Sequence, residues 1–324
     1  MRLKVLYHDR CFDGLSSAAI FSRFFLEKVN SKAEISYQGL AHKPGEVFAP
    51  GSFDGDENVV VDFRYSQDPR LSWWFDHHES GFPTAADRTH FEAQRAPHHF
   101  YDPKAKSCAK FIARTLTERF GFEQAPLRDL IDWAEVIDGA QFPDAKTAVE
   151  LTEPALQLMT VIEGTPDPTF LHGIIREFMR KPLAEVASSA AVRERLSPLL
   201  DQHLQNLRAF KAHAQLVGPV VLTDLGGLSV DGFNKFIPYY LFPEATYTVT
   251  VTRSPQRAKL SVGSNPWRPG ARRHDLSKLC ERYGGGGHPV VGAVSLLPTD
   301  LERARQIAAE MVSELNTSPA IDPS

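Results

Sequence analysis

Four short segments in the first half of the chain carry residue types that hold cations and handle phosphate. They are His8-Asp9-Arg10-Cys11-Phe12-Asp13-Gly14, Val59-Val60-Val61-Asp62, Trp73-Trp74-Phe75-Asp76-His77-His78-Glu79 and Ala134-Glu135-Val136-Ile137-Asp138-Gly139. Neutral imidazole is a common ligand for divalent metals, and its second nitrogen is often held by a carboxylate. Asp62 closes a hydrophobic run, where its charge needs a partner: a metal or a hydrogen-bonded loop would each serve. Asp76-His77-His78 follows three aromatics, so these imidazoles also come directly after a buried strand. Asp138 ends a helical pattern, where the dipole disfavours an anion unless something positive is near. Asp129, Asp132 and Glu135 read as the solvated side of the same helix. In the first segment a helix start and Gly14 suit a phosphate, while Asp13 equally reads as a helix cap. The pair His98-His99 is the counter-example, lying in a polar, Pro-containing loop with no strand before it.

The second half has one comparable segment, Gly284-Gly285-Gly286-Gly287-His288-Pro289. Consecutive glycines expose backbone N–H groups and make either an anion nest, with His288 as an added donor, or a flexible loop. Arg253 ends an alternating strand and is either a phosphate contact or a surface charge. Phe236, Tyr239, Tyr240 and Trp267 are candidate base-stacking residues, more commonly core or surface groups.

These residues need a scaffold. Residues 3–7 and 59–63 are short, β-branched runs that read as buried strands. Residues 15–29, 105–120 and 127–137 carry helical spacing, so the first half reads as a parallel α/β sheet with helices on its faces. In an open sheet of that kind ligands collect at the carboxyl ends of strands, where the acidic and histidine segments lie. Residues 184–217 read as one long helix interrupted at Pro198. Strands follow at 220–222, 245–253, 259–262 and 293–297, with helices at 276–283 and 300–315. The expected organisation is an α/β unit over 1–183, a linking helix over 184–217, a smaller α+β unit over 218–316 and a frayed tail over 317–324.

Composition narrows the function classes. With 36 Lys+Arg against 40 Asp+Glu, the net charge of -4 gives no reason to expect long-duplex binding through bulk charge. Only Cys11, Cys108 and Cys280 are present, none at CxxC spacing, which argues against a disulfide framework or a cysteine-zinc site. The first residues run straight into polar groups without a signal-peptide core, and no apolar stretch is long enough to span a membrane. The expected compartment is the cytoplasm.

In order along the chain, these segments resemble the DHH phosphoesterase superfamily: Asp76-His77-His78 is the namesake triplet and Gly285-Gly286-Gly287-His288 is similar to the GGGH signature of the DHH-associated C-terminal domain. The superfamily includes RecJ-like single-strand exonucleases, nanoRNase/pAp-phosphatase enzymes, cyclic-dinucleotide phosphodiesterases, exopolyphosphatases and manganese pyrophosphatases. The resemblance implies one or two divalent ions, manganese above all, with magnesium as another option. It implies His8 and Asp13 as first-motif ligands, Asp62 bridging both ions, and His77 and Asp138 completing the second position. His78 would contact substrate phosphate, Asp76 would orient the histidines, and Arg253 with Gly285, Gly286, Gly287 and His288 would bind substrate.

One departure stands out. The first motif of that superfamily has two aspartates as D-x-D, where this chain reads Cys11-Phe12-Asp13. Asp9 is out of register and would have to swing in. Three outcomes are open: Cys11 ligates as a thiolate and favours softer ions such as zinc, the first site is weakened, or one metal binds. A weakened first site with activity retained is the expectation. The implied function is a metal-dependent phosphohydrolase acting on short single-stranded oligonucleotides or small nucleotide phosphates. The alternatives are a nucleotide- or phosphate-binding protein that has lost turnover, and a polyphosphate or pyrophosphate hydrolase.

Overall fold

In the computed structural model, strand β1 (Arg2–His8) lies inside a sheet that also holds β2 (Glu34–Leu40), β3 (Glu57–Val61), β4 (Trp73–Asp76) and β5 (His99–Tyr101). Every pairing is parallel and the order is β2-β1-β3-β4-β5. The chain goes from β1 to β2 on one side and then returns to lay β3 on the other side of β1. That reversal opens a crevice at the carboxyl ends of β1 and β3, the topological switch point where open α/β sheets bind ligands. Leu3, Val5, Leu6, Tyr7 and Val59–Val61 are fully buried, because helices cover one face of the sheet while Phe53, Phe63, Tyr65 and Phe91 pack with Leu6, Val60 and Trp74 on the other.

The helices are α1 (Phe12–Phe24), α2 (Ala85–Gln94), α3 (Cys108–Phe120), α4 (Arg128–Asp138), α5 (Ala145–Glu150), α6 (Pro154–Gly164), α7 (Pro168–Phe178), α8 (Leu183–Ser188) and α9 (Ala190–His213). Helix α1 is buried almost all round, packed between β1 and the helices α3, α4, α6 and α7. This explains why its sequence is apolar or small on every side rather than on one stripe. It ends in a π-helical turn, Phe25–Val29.

The second sheet has β6 (Ala214–Val217), β7 (Val220–Asp224), β8 (Tyr247–Arg253), β9 (Ala258–Ser264), β10 (Gly286–His288) and β11 (Val291–Leu296), in the order β10-β11-β9-β8-β7-β6. All its pairings are antiparallel except β7 with β8. Short helices α10 (Ile237–Leu241) and α11 (Leu276–Glu281) accompany it, with α12 (Leu301–Leu315) at the end. Leu301, Ala304, Ile307, Ala308, Met311, Val312 and Leu315 recur at helical spacing and pack on Val249, Val251, Leu260, Val262 and Val294. Two compact units result: Met1–Phe142 with Leu151–Leu199, and Pro143–Glu150 with Leu200–Ser324. The structure describes residues 1–41, 48–228, 230 and 232–317, so the frayed tail expected over 317–324 lies outside the described residues but for Thr317.

Parallel α/β and smaller α+β architecture match the sequence reading, but several elements differ. The helix expected over 184–217 is two helices and a strand. It breaks at Ser189, which is extended at φ -62 and ψ 146, whereas Pro198 sits inside α9. Residues 214–217 leave the helix because Gly218, at φ 58, turns them back to pair with Val220–Thr223. Ladder bonds from that hairpin outweigh the helical pattern. His99 does not lie in a loop but starts β5. Its neighbour His98 stacks on Trp73 with ring centroids 3.8 Å apart, a packing role.

Candidate metal centre

Side chains from β1, β3, β4, α1 and α4 meet at the switch point. His8 is the last residue of β1. Asp62 follows β3 directly and adopts a left-handed backbone, φ 56, while its N–H still bonds Phe75 O at 2.9 Å. That conformation, tolerated by Asp better than by most residues, turns the carboxylate into the crevice. Asp62 Oδ2 lies 3.3 Å from His8 Nδ1, and Oδ1 lies 3.5 Å from His77 Nε2. His77 Nε2 is 3.4 Å from Asp138 Oδ2 and 3.8 Å from Asp13 Oδ2. His77 Nδ1 is held 3.0 Å from Ala105 O, which makes Nδ1 the donor and directs Nε2 into the cluster.

The candidate ligands fall into three overlapping groups: His8 with Cys11 and Asp62; Asp62 with His77 and His78; Asp13 with His77 and Asp138. Within each, one donor atom per residue lies within 4.8 Å of the others. Asp62 and His77 each belong to two groups. The fit to a cation rests on two buried atoms: Asp62 Oδ1 and His77 Nε2 meet no well-formed hydrogen-bond partner among the described residues. Buried polar atoms of that kind call for a physical explanation, and an ion shared by both would supply one.

The charges agree with that arrangement. Burial, then the Asp62 and Asp138 charges, pushes the Asp13 carboxyl well above the usual range. Burial and Asp62 raise Asp138 as well. Burial also works against Asp62, but the imidazoles of His77 and His8 overcome it and hold that carboxyl at about 2. Burial opposes a proton on His77, yet Asp62 and Asp13 outweigh it and push the imidazole up to about 10. Three carboxyl groups around one imidazole compete for positive charge, which protons supply only in part.

Asp13 does not cap its own helix. Cys11 occupies the N-cap of α1 and makes no capping hydrogen bond with its side chain. The Asp13 oxygens instead accept from Cys108 N at 2.6 Å and Ala109 N at 2.9 Å, at the start of α3. Nothing local in sequence signals this, because the partners are far along the chain. Asp76 is likewise committed: Oδ1 accepts from His77 N at 2.8 Å, His78 N at 3.2 Å and His78 Nδ1 at 2.7 Å. Tyr101 supports the same loop by donating to His78 O at 3.0 Å. Asp9 turns away from the crevice: its carboxylate lies beside Gly39, where an added Cβ would stand 2.6 Å from Oδ1.

Gly14 is required for the first loop. A Cβ there would stand 2.2 Å from His8 O. Gly14→Ala must push apart the turn that carries His8 and Cys11, at a cost of ~1–3 kcal/mol from overpacking. Thermal unfolding should show a lower Tm and a smaller manganese-induced rise. An unchanged Tm under both conditions would refute this.

In the second unit, Arg253, Gly286 and Gly287 line a cleft of about 840 Å³ together with Lys235, Arg257 and Lys259. No carboxylate is among the described residues that line it. Gly285 and His288 are not in the lining. The glycines form neither a nest nor a flexible loop: Gly286–His288 is strand β10, paired with Val291–Ala293 of β11. Their lack of side chains serves close packing, since Cβ atoms at 285 and 287 would stand 2.2 Å from Ala293 O and 2.3 Å from Val291 O. Phe236 and Tyr239 are buried, and Trp267 packs on both.

No family model matches the chain, and no curated protein matches it in sequence. Solved structures do match in fold. A pGpG-specific phosphodiesterase, PggH from Vibrio cholerae, superposes with a TM-score of 0.71 at 18% identity, over 97% of this chain and 100% of that one. A DHH domain described as a member of the s1p family of ribosomal proteins gives 0.56 at 14% identity, over 98% and 88%. RecJ from Thermus thermophilus, in complex with Mn2+, gives 0.55 at 14% identity, over 97% of this chain and 52% of its own length.

Proposed function

We propose that this chain, which has the fold of the DHH phosphoesterases, is a metal-dependent phosphohydrolase of short oligonucleotides or small nucleotide phosphates. The observation that carries the reading is the meeting of Asp62, His77 and Asp138, from three distant segments, at 3.4–3.5 Å around buried atoms that lack well-formed hydrogen bonds. His8, Asp13, Asp62, His77 and Asp138 would hold one or two divalent ions, with Asp62 shared. Carboxylate and imidazole donors suit manganese or magnesium. Bound there, the ions would lower the pKa of the attacking water and neutralise charge on the phosphoryl group.

The protein's own groups do the rest. Asp76 holds His78 through Nδ1 and fixes the ring's orientation. Burial opposes a proton on His78, but Asp76 and Asp62 outweigh it, so the ring stays cationic to a higher pH than usual. A cationic imidazole at the mouth of the site can meet a phosphate oxygen and steady the charge that develops there. The cleft with Arg253, Arg257, Lys235 and Lys259 suits a polyanionic phosphate chain. We assign substrate phosphate to Arg253 and the Gly286–Gly287 edge, with Gly285 and His288 as their flanks.

A substrate panel tests the reading: pAp, linear dinucleotides such as pGpG, cyclic dinucleotides, polyphosphate and pyrophosphate, each with manganese and with chelator. Manganese-dependent cleavage of the first two classes is expected. No turnover of any member with added metal would sink the enzymatic reading and leave a binding protein. Polyphosphate as the sole substrate would favour phosphoanhydride hydrolysis. Arg253→Ala should raise KM by about 10–100-fold, the loss of one charge-assisted hydrogen bond of ~1.5–3 kcal/mol, with kcat little changed. Steady-state kinetics on the best substrate checks this, and an unchanged KM removes Arg253 from the binding surface.

A further inference from the structure

We propose that Cys11 is a metal ligand, so that His8, Cys11 and Asp62 form a nitrogen–sulfur–oxygen position selective for zinc-class ions. The proposal rests on the metal-centre reading above and adds which donor completes the position beside His8. Donor atoms of the three residues lie within 4.8 Å of one another, the same closeness as in the all-oxygen-and-nitrogen groups. Cys11 occupies the N-cap of α1 without a well-formed side-chain capping hydrogen bond. It is half-buried at the crevice, whereas Cys108 and Cys280 are buried in the packed interior.

The oxygen donors that might replace it are committed elsewhere. Asp9 lies against Gly39. Asp13 groups with His77 and Asp138 rather than with His8. Asp62 Oδ2 faces His8, so the third donor on this side is the sulfur. A thiolate shifts preference from manganese and magnesium to zinc, cobalt(II) or iron(II), while Asp13, His77 and Asp138 keep the harder donor set. Burial, then the Asp62 and Asp13 charges, pushes the Cys11 thiol well up, so the sulfur loses its proton to solvent only as the ion binds.

The test is cobalt(II) and zinc titration of the full chain, wild type against Cys11→Ser and Cys11→Asp, with circular dichroism to confirm folding. Wild-type protein should show a near-ultraviolet sulfur-to-cobalt charge-transfer band, and zinc should protect the Cys11 thiol from alkylation. Cys11→Ser should lose the band and weaken zinc binding by at least about tenfold, since even outer-shell partners cost that much. Cys11→Asp should exchange that zinc preference for manganese. Cobalt bound without the band, or a band that survives in Cys11→Ser, overturns the thiolate ligand alone. Failure of the wild type to bind any divalent ion overturns the metal centre and this proposal with it.

Discussion

Asp62→Asn is expected to lower kcat/KM by at least about 10³-fold, or about 4 kcal/mol of transition-state stabilisation. Asparagine keeps the shape of the side chain and tolerates the left-handed backbone that residue 62 adopts at φ 56, so the fold should survive. What it loses is the charge that faces His8 on one side and His77 on the other. Because Asp62 belongs to two of the three donor groups, its loss should weaken both of the proposed ion positions. Thermal unfolding separates binding from turnover. At 100 times Kd an ion stabilises the native state by about 2.7 kcal/mol, and this rise should vanish in the variant. Equal turnover and equal stabilisation in both proteins would remove Asp62 from the site.

Manganese affinity should fall by about 100-fold or more between pH 8 and pH 6, about tenfold per unit for each proton displaced. In the metal-free protein His77 keeps its proton up to about pH 10. An ion must take the Nε2 lone pair, so below that pH each binding event releases a proton and tightens as pH rises. The carboxyls of Asp13 and Asp138, both raised, add protons to be displaced at the acid end of the range. Calorimetry in buffers of different ionisation heat counts the protons directly. The metal-free protein behaves in the opposite sense: a His77 pKa raised above its unfolded value stabilises fully below ~6.5, and that stability is lost as pH climbs through about 10. An affinity independent of pH would exclude His77 as a ligand.

Several features were legible because they are local. Val59-Val60-Val61-Asp62 and Trp73-Trp74-Phe75-Asp76 each announce a buried strand ending in a carboxylate, and both strands exist. The alternating run that ends at Arg253 is strand β8, and the apolar stripe of residues 300–315 is α12. Elements with weaker local contrast carry no such signal. Strand β2 mixes exposed and buried positions, and β5 has three half-buried residues. The Gly-rich segment misled for a related reason: glycine advertises backbone freedom, but here the absent Cβ atoms let β10 lie against β11.

By itself the amino-acid sequence determined the α/β character, the candidate donor residues and the placing of His8, Asp62 and His77 at strand ends, since burial patterns and turn chemistry act over a few residues. Only the tertiary structure decided that β3 returns beside β1, which opens the crevice between His8 and Asp62. It also decided that Asp13 is held by α3 and His77 by Ala105, and that Asp9 points away while Cys11 points in. Those outcomes depend on strand order and on hydrogen bonds between residues far apart in the chain. No local pattern encodes such pairings, because they form only when the whole sheet is assembled.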